Sequence, residues 1–256
     1  MNRIKSIIKS IFPNWVYEWG SIDQFAFSGA LDPISDIQEK YNFEGDLIQI
    51  YGSNKGAKVH KWHHYLPLYD RYFSRFRNTE VRFLEIGVSK GGSMQMWRRY
   101  FGDRAVIFGI DINPDCKQYD GLSGNIRIGS QTDPFFLDAV VKEMGGVDIV
   151  LDDGSHHMRH IPVTLQHLFP KLHNGGIYMI EDLHNAYWRS AGGGYTSKRN
   201  FFNIIRYLID DMHHWYHGKP PKHKKLFNLC SGISIHDSIA VLEKNIVHRP
   251  THSLIG

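Results

Sequence analysis

Five short apolar runs, separated by stretches of helical spacing, constrain this chain more than any other feature. They lie at 81–88, 105–110, 125–128, 147–151 and 176–180. Helical patterns intervene through Trp97 and Tyr100, over 135–144 and over 158–172. Parallel neighbours need a crossover, and short unbroken apolar runs fit strands buried on both faces. The alternation therefore specifies a parallel sheet with helices on either side. It breaks after a helix over 201–212, where two strand-like runs, 232–235 and 239–243, lie close enough for only an antiparallel hairpin. The expected fold is α/β and Rossmann-like, with five parallel strands plus a C-terminal antiparallel hairpin, over 81–256. Residues 1–80 read as a helical N-terminal extension, punctuated by Gly20, Gly29, Pro33, Gly45, Gly52 and Gly56. Within it Tyr65, Leu68, Tyr69, Tyr72, Phe73 and Phe76 recur at helical spacing.

Composition removes several classes. A chain of 256 residues, 42% apolar, has ample material for a core. A net charge of +4 is too small for a dedicated nucleic-acid binder, whose footprint is a dense basic face. No stretch approaches the roughly 20 apolar residues that span a bilayer. Cys116 and Cys230 stand far apart without metal-type spacing, which fits a reduced, cytoplasmic setting. The N-terminus places Arg3, Lys5 and Lys9 among Ile4, Ile7, Ile8, Ile11 and Phe12, without the features of a signal peptide. Because Trp15, Tyr17 and Trp19 continue the apolar character, it reads as a packing surface for the body or a second copy. A membrane surface is the lesser reading. Sixteen histidines raise a metal or acid–base role.

Ligands of open α/β sheets bind beyond the carboxyl ends of the strands, so the residues closing each run carry the chemistry. The first run closes through Glu85-Ile86-Gly87 and a Lys90-Gly91-Gly92-Ser93 turn. This is neither a G-x-G-x-x-G fingerprint nor a phosphate loop. Glu85 would repel a pyrophosphate and suits a cationic ligand. Asp111 closes the second run, placed for a ribose diol. Asp152-Asp153 and Glu181-Asp182 close the fourth and fifth runs. Adjacent parallel strands lie about 4.8 Å apart, so Asp153, Glu181 and Asp182 offer three hard oxygens that suit Mg²⁺ better than zinc. His156 follows at the same sheet mouth, placed as a general base. His157 and His160 read as surface histidines, and His184 and Asn185 as substrate-side groups. Gly192-Gly193-Gly194, among Tyr187, Trp188 and Tyr195, reads as either a lid or a plain flexible loop.

Residues 151–169 (LDDGSHHMRHIPVTLQHLF) and 175–188 (GGIYMIEDLHNAYW) resemble the sugar O-methyltransferases of macrolide biosynthesis, of the mycinamicin and macrocin type. The resemblance extends through YGSNKG at 51–56, His64-Tyr65, FLEIGVSKGGS, FGIDI and IHDSIAVLEK, covering roughly 50–245. It implies a class I methyltransferase sheet, S-adenosylmethionine and Mg²⁺, with a small-molecule or glycan hydroxyl as acceptor. It also implies Asp153, Glu181 and Asp182 as metal ligands and His156 as base. Tyr65, Glu85, Gly87, Ser93, Asp111 and Asp152 become cofactor contacts. Where such families often set an acid beside the adenine, this chain has Ser130 and Gln131 as candidates. A Rossmann-type oxidoreductase or hydroxylase-like enzyme, and a non-catalytic carbohydrate-binding module of the same fold, are the alternatives.

Overall fold

The computed structural model describes residues 22–29 and 32–256. The basic N-terminal segment from Arg3 to Trp19 lies outside them. A seven-stranded sheet organises the rest: β1 Arg82–Ile86, β2 Val106–Asp111, β3 Asn125–Ile128, β4 Val147–Asp152, β5 Leu172–Ile180, β6 Cys230–His236 and β7 Ile239–Lys244. Their order is β3-β2-β1-β4-β5-β7-β6. The first five are parallel, and β7 pairs antiparallel with both β5 and β6. Both the expected parallel sheet and the closing hairpin are present.

Alternate residues of each strand feed opposite cores, as a period of two requires. Phe83, Ile107, Ile149, Leu151 and Met179 face one layer, built from α1 (Pro33–Tyr41), α2 (Asp46–Gly52), α3 (Tyr65–Phe73) and α4 (Gly92–Phe101). Leu84, Ile110, Val150 and Tyr178 face the other, built from α5 (Pro134–Met144), α6 (Ile161–Leu168) and α7 (Phe201–Met212). The described part of residues 1–80 therefore forms, with α4, one of the two layers covering the sheet and shares its core. Trp97 is fully buried between Tyr69, Phe73, Phe83 and Phe101, with ring centroids 5.1–5.8 Å apart. Such contacts contribute roughly 0.5–1.5 kcal/mol each beyond area burial, and through Phe83 they pack α3 and α4 against β1. Local chemistry starts the helices. Asp32 caps α1 by accepting from the Ile34 and Ser35 N–H groups, and Asp133 caps α5 through Phe135 and Phe136. Among the described residues no helix is long and apolar enough to cross a membrane.

Candidate active site

Parallel hydrogen bonding continues one step past the strand ends and draws the acidic turns together. The Asp153 N–H donates to the Ile86 carbonyl, the Gly87 N–H to Ile110, and the Glu181 N–H to Asp152. Gly87 has φ +94°, and a Cβ there would stand 2.1 Å from the Asp153 carbonyl oxygen. Only glycine permits so close an approach of the β1 and β4 turns.

Two hollows meet at this edge. The first is a cavity of about 440 Å³ lined by Gly87, Val88, Ser89, Ser93, Asp111, Asp153, His156, Glu181, Asp182 and the 58–62 segment. That volume lies within the roughly 300–1,000 Å³ of small-molecule sites. The second is a wider cleft of about 1030 Å³, with Phe25, Phe27, His63, His64, His184, Tyr187 and Trp188 on its walls. His60, Lys61 and Trp62 line both.

In the first cavity, Asp153, His156 and Asp182 each offer a ligand atom, all within 4.8 Å of one another. His156 Nε2 lies 3.7 Å from Asp153 Oδ1 and 3.7 Å from Asp182 Oδ2. The other carboxylate oxygens are already engaged. Asp153 Oδ2 accepts from Lys61 Nζ at 2.6 Å. Asp182 Oδ1 accepts from Trp62 Nε1 at 3.1 Å and from the Tyr65 hydroxyl at 2.8 Å. Tyr65 is thereby a support for Asp182, and burial together with Asp182 and Glu181 pushes its hydroxyl far above the ordinary tyrosine range. His156 and Asp182 both adopt left-handed backbone, at φ 51° and 54°. Residues with side chains rarely accept that conformation, and it clusters at functional sites. Glu181 is set differently: Oε1 accepts from Tyr69 at 2.6 Å and Oε2 from Lys61 at 2.9 Å. Glu181 lines the same cavity as Asp153 and Asp182, with both its oxygens bonded to Lys61 and Tyr69.

Of the expected cofactor contacts, Gly87, Ser93 and Asp111 line the first cavity, whereas Tyr65, Glu85, Ser130, Gln131 and Asp152 line neither hollow. Glu85 is fully buried behind the lining, accepting from Ser93 Oγ at 2.8 Å and Trp97 Nε1 at 3.2 Å. Burial pushes its carboxyl up to about 7. Asp111 accepts from the Val88, Ser89 and Asn113 N–H groups. Burial works to raise it, but those bonds outweigh burial and hold it below its ordinary value. Gln131 is a buried clamp: its amide donates to Asp152 and Thr164 and accepts from the Ser155 N–H. Ser130 Oγ bonds Thr132 Oγ1 at 2.9 Å. Asp152 accepts from Gln131 and, at 2.9 Å, from the Tyr178 hydroxyl, and burial pushes it up to about 6.

His184 lines the wide cleft, held by Ser238 Oγ at 2.7 Å, and Asn185 donates to the Asp182 carbonyl. His157 and His160 line neither hollow. The triple-glycine loop is bonded back onto the body, Gly193 N–H to Trp188 and Gly194 N–H to Ala186. Lys61, Trp62 and Tyr69 are site residues that sequence reasoning missed. The available signal was Tyr65 and Tyr69 at i, i+4, which puts both hydroxyls on one helix face.

A model of a methyltransferase domain matches residues 84–183. The 8-demethyl-8-(2-methoxy-α-L-rhamnosyl)-tetracenomycin-C 3′-O-methyltransferase of Streptomyces olivaceus is 36% identical over 78% of this chain and 54% of its own length. Mycinamicin VI 2″-O-methyltransferase of Micromonospora griseorubida is 35% identical over 78% and 52%. Demethylmacrocin O-methyltransferase of Streptomyces fradiae is 30% identical over 93% and 62%. The methyltransferase MycE of the mycinamycin pathway, solved with Mg, SAH and mycinamycin VI, superimposes with a TM-score of 0.67 at 31% identity, covering 84% of this chain and 54% of that one. The chain thus spans about half the length of the curated relatives it matches. Its sheet order is that of class I methyltransferases. Over residues 84–183 the chain carries a methyltransferase domain, and it is similar to the mycinamicin VI, demethylmacrocin and tetracenomycin O-methyltransferases.

Proposed function

We propose that this protein transfers a methyl group from S-adenosylmethionine to a sugar hydroxyl of a glycosylated small molecule or glycan, with His156 as base. The observation that carries this reading is the convergence of Asp153, His156 and Asp182 on the wall of the first cavity, which shares His60, Lys61 and Trp62 with the wide cleft. The first cavity, with the glycine turn and Asp111, suits the nucleoside donor. The cleft, walled by Trp62, Tyr187, Trp188 and His184, suits a sugar ring, whose C–H face packs on aromatics while its hydroxyls need polar partners. The relatives named for rhamnosyl acceptors point the same way.

The donor set fits a hard divalent cation, because Asp153 Oδ1 and Asp182 Oδ2 face inward while their partner oxygens are held by the protein. Mg²⁺ bound there would supply Lewis acidity that favours the ionised form of a neighbouring hydroxyl. The chain's own residues do the rest. His156 Nε2 takes the hydroxyl proton, and that proton arrives between two carboxylates 3.7 Å away. The acceptor oxygen forms a bond to the methyl carbon as the carbon–sulfur bond breaks, and the electron pair returns to sulfur as neutral S-adenosylhomocysteine. A positioned base contributes typically 10²–10⁴-fold, and holding oxygen, carbon and sulfur in line contributes much of the remainder. His60, Lys61 and Trp62, shared by both hollows, set the separation of donor and acceptor.

Thermal-shift titration separates this reading from a nicotinamide enzyme of similar topology. S-adenosylhomocysteine and Mg²⁺ should each raise the melting temperature, and NAD should not. Stabilisation by NAD alone would overturn the assignment.

A further inference from the structure

Residues 219–225 read Lys-Pro-Pro-Lys-His-Lys-Lys, and the site described above uses none of them. They follow α7 at the edge of the sheet opposite that site. β6 opens just after them at Cys230 and runs parallel to β5, since both strands pair antiparallel with β7. Glu181 and Asp182 follow the other end of β5. The basic segment is anchored from within. Asp211, only 3% exposed near the end of α7, accepts from the Lys222 and His223 N–H groups and bonds His223 Nδ1 at 2.9 Å. A short helical turn, His214–His217, leads into the segment, and the His217 ring bonds the Asp210 carbonyl at 2.8 Å.

All four lysines are exposed. Lys222 Nζ stands 3.2 Å from the centre of the Tyr207 ring, and Lys219, Lys224 and Lys225 form no ion pair among the described residues. The acids at this end are already committed, Asp210 to Arg206 and Asp211 to His223. Beside the lysines, Trp215 and Tyr216 are 39% and 72% exposed. Exposed Trp and Tyr rings next to unneutralised lysines match the bilayer interface, where such rings sit at headgroup level and ammonium groups meet anionic lipid. A long polyanion calls for a basic face running along the protein, whereas this charge is confined to one end. We propose that residues 215–225 dock this protein on an anionic membrane surface. The acid-lined cavity then faces away from the lipid, so docking and methyl transfer are separate properties and neither depends on the other.

Co-sedimentation of the full chain with lipid vesicles tests the proposal. Phosphatidylcholine vesicles containing about one-third phosphatidylglycerol should bind at least about tenfold more tightly than phosphatidylcholine alone. High salt should release the protein, because the field of the lipid decays within a Debye length. Each lysine near the surface strengthens such binding about fivefold, so Lys224→Gln/Lys225→Gln should bind about 10–30-fold more weakly. Tyr216→Ser should lose at least about threefold while keeping the salt dependence. The substituted side chains are exposed, so both variants should melt with the parent. A parent that binds anionic and neutral vesicles equally, or neither, would overturn the proposal. Undiminished binding by the double lysine variant would also overturn it and place the contact elsewhere, such as the basic segment at 3–9. Salt-sensitive retention on heparin without vesicle binding would overturn it in favour of a soluble polyanion.

Discussion

Replacing Tyr65 with phenylalanine removes one oxygen from the acid cluster and little else. The ring is fully buried on α3, and its packing against Trp62, His64 and Tyr69 survives the change. The hydroxyl donates to Asp182 Oδ1 at 2.8 Å and accepts from the Asp182 N–H at 3.3 Å. Losing a hydrogen bond to a charged group costs about 1.5–3 kcal/mol, equivalent to roughly 10–150-fold in an equilibrium constant. Trp62 Nε1 still holds the same Oδ1 at 3.1 Å, which puts the effect toward the lower end. Tyr65→Phe should therefore weaken Mn²⁺ binding about 10–30-fold, in line with losses seen when outer supports of metal ligands are removed. The assay is Mn²⁺ titration of the full chain followed by electron paramagnetic resonance, with a melt to confirm that the fold is retained. Mn²⁺ affinity within twofold of the parent, in a folded variant, would refute the argument that Tyr65 orients a cation-binding Asp182.

The left-handed backbone at His156 makes a prediction of opposite sign for stability and activity. His156→Gly should raise stability by about 1 kcal/mol because glycine accepts φ 51° without steric cost, while methyl transfer falls at least about 100-fold. A chemical melt and a turnover assay check the two halves, and a destabilised variant would contradict the strain argument. Glu85 gives a pH dependence in the metal-free, ligand-free protein. Its folded value of about 7 lies above the ordinary 4.5, so the folded state holds the proton more tightly. Its stabilising contribution is complete below about pH 4.5 and is lost as pH rises through about 7, a change on the order of 3 kcal/mol. Denaturant melts at pH 5 and pH 8 in EDTA should show this loss in the parent and a flatter profile in Glu85→Gln. Identical slopes would rule out Glu85 as the source.

The parallel part of the sheet was legible because its strands carry short apolar runs that stop at an acid or glycine. Two boundaries moved for local reasons. β5 begins at Leu172, ahead of the expected 176, because its pairing with β4 shifts between Val147 and Ile149 and the polar His173-Asn174-Gly175 stretch hides the strand. α6 begins at Ile161, after hydrogen-bonded turns from His157 and with Pro162 in its first turn. Asp153, His156 and Asp182 were legible because strand ends bring them together. The roles of Lys61, Trp62 and Tyr69 were not, since they depend on partners 92 to 120 residues away along the chain. The internal hydrogen bonds of Gln131 and Asp152 were likewise hidden, because residue type does not reveal which partners a polar side chain finds inside the fold.

The most direct test of the account is transfer itself. The full chain is incubated with methyl-labelled S-adenosylmethionine, Mg²⁺ and a panel of neutral glycosides, and products are read by intact mass. The account predicts an added methyl ether on a sugar hydroxyl, lost on chelation, abolished in Asp153→Ala and reduced at least about 100-fold in His156→Ala. Transfer that persists undiminished in EDTA and in Asp153→Ala would contradict it.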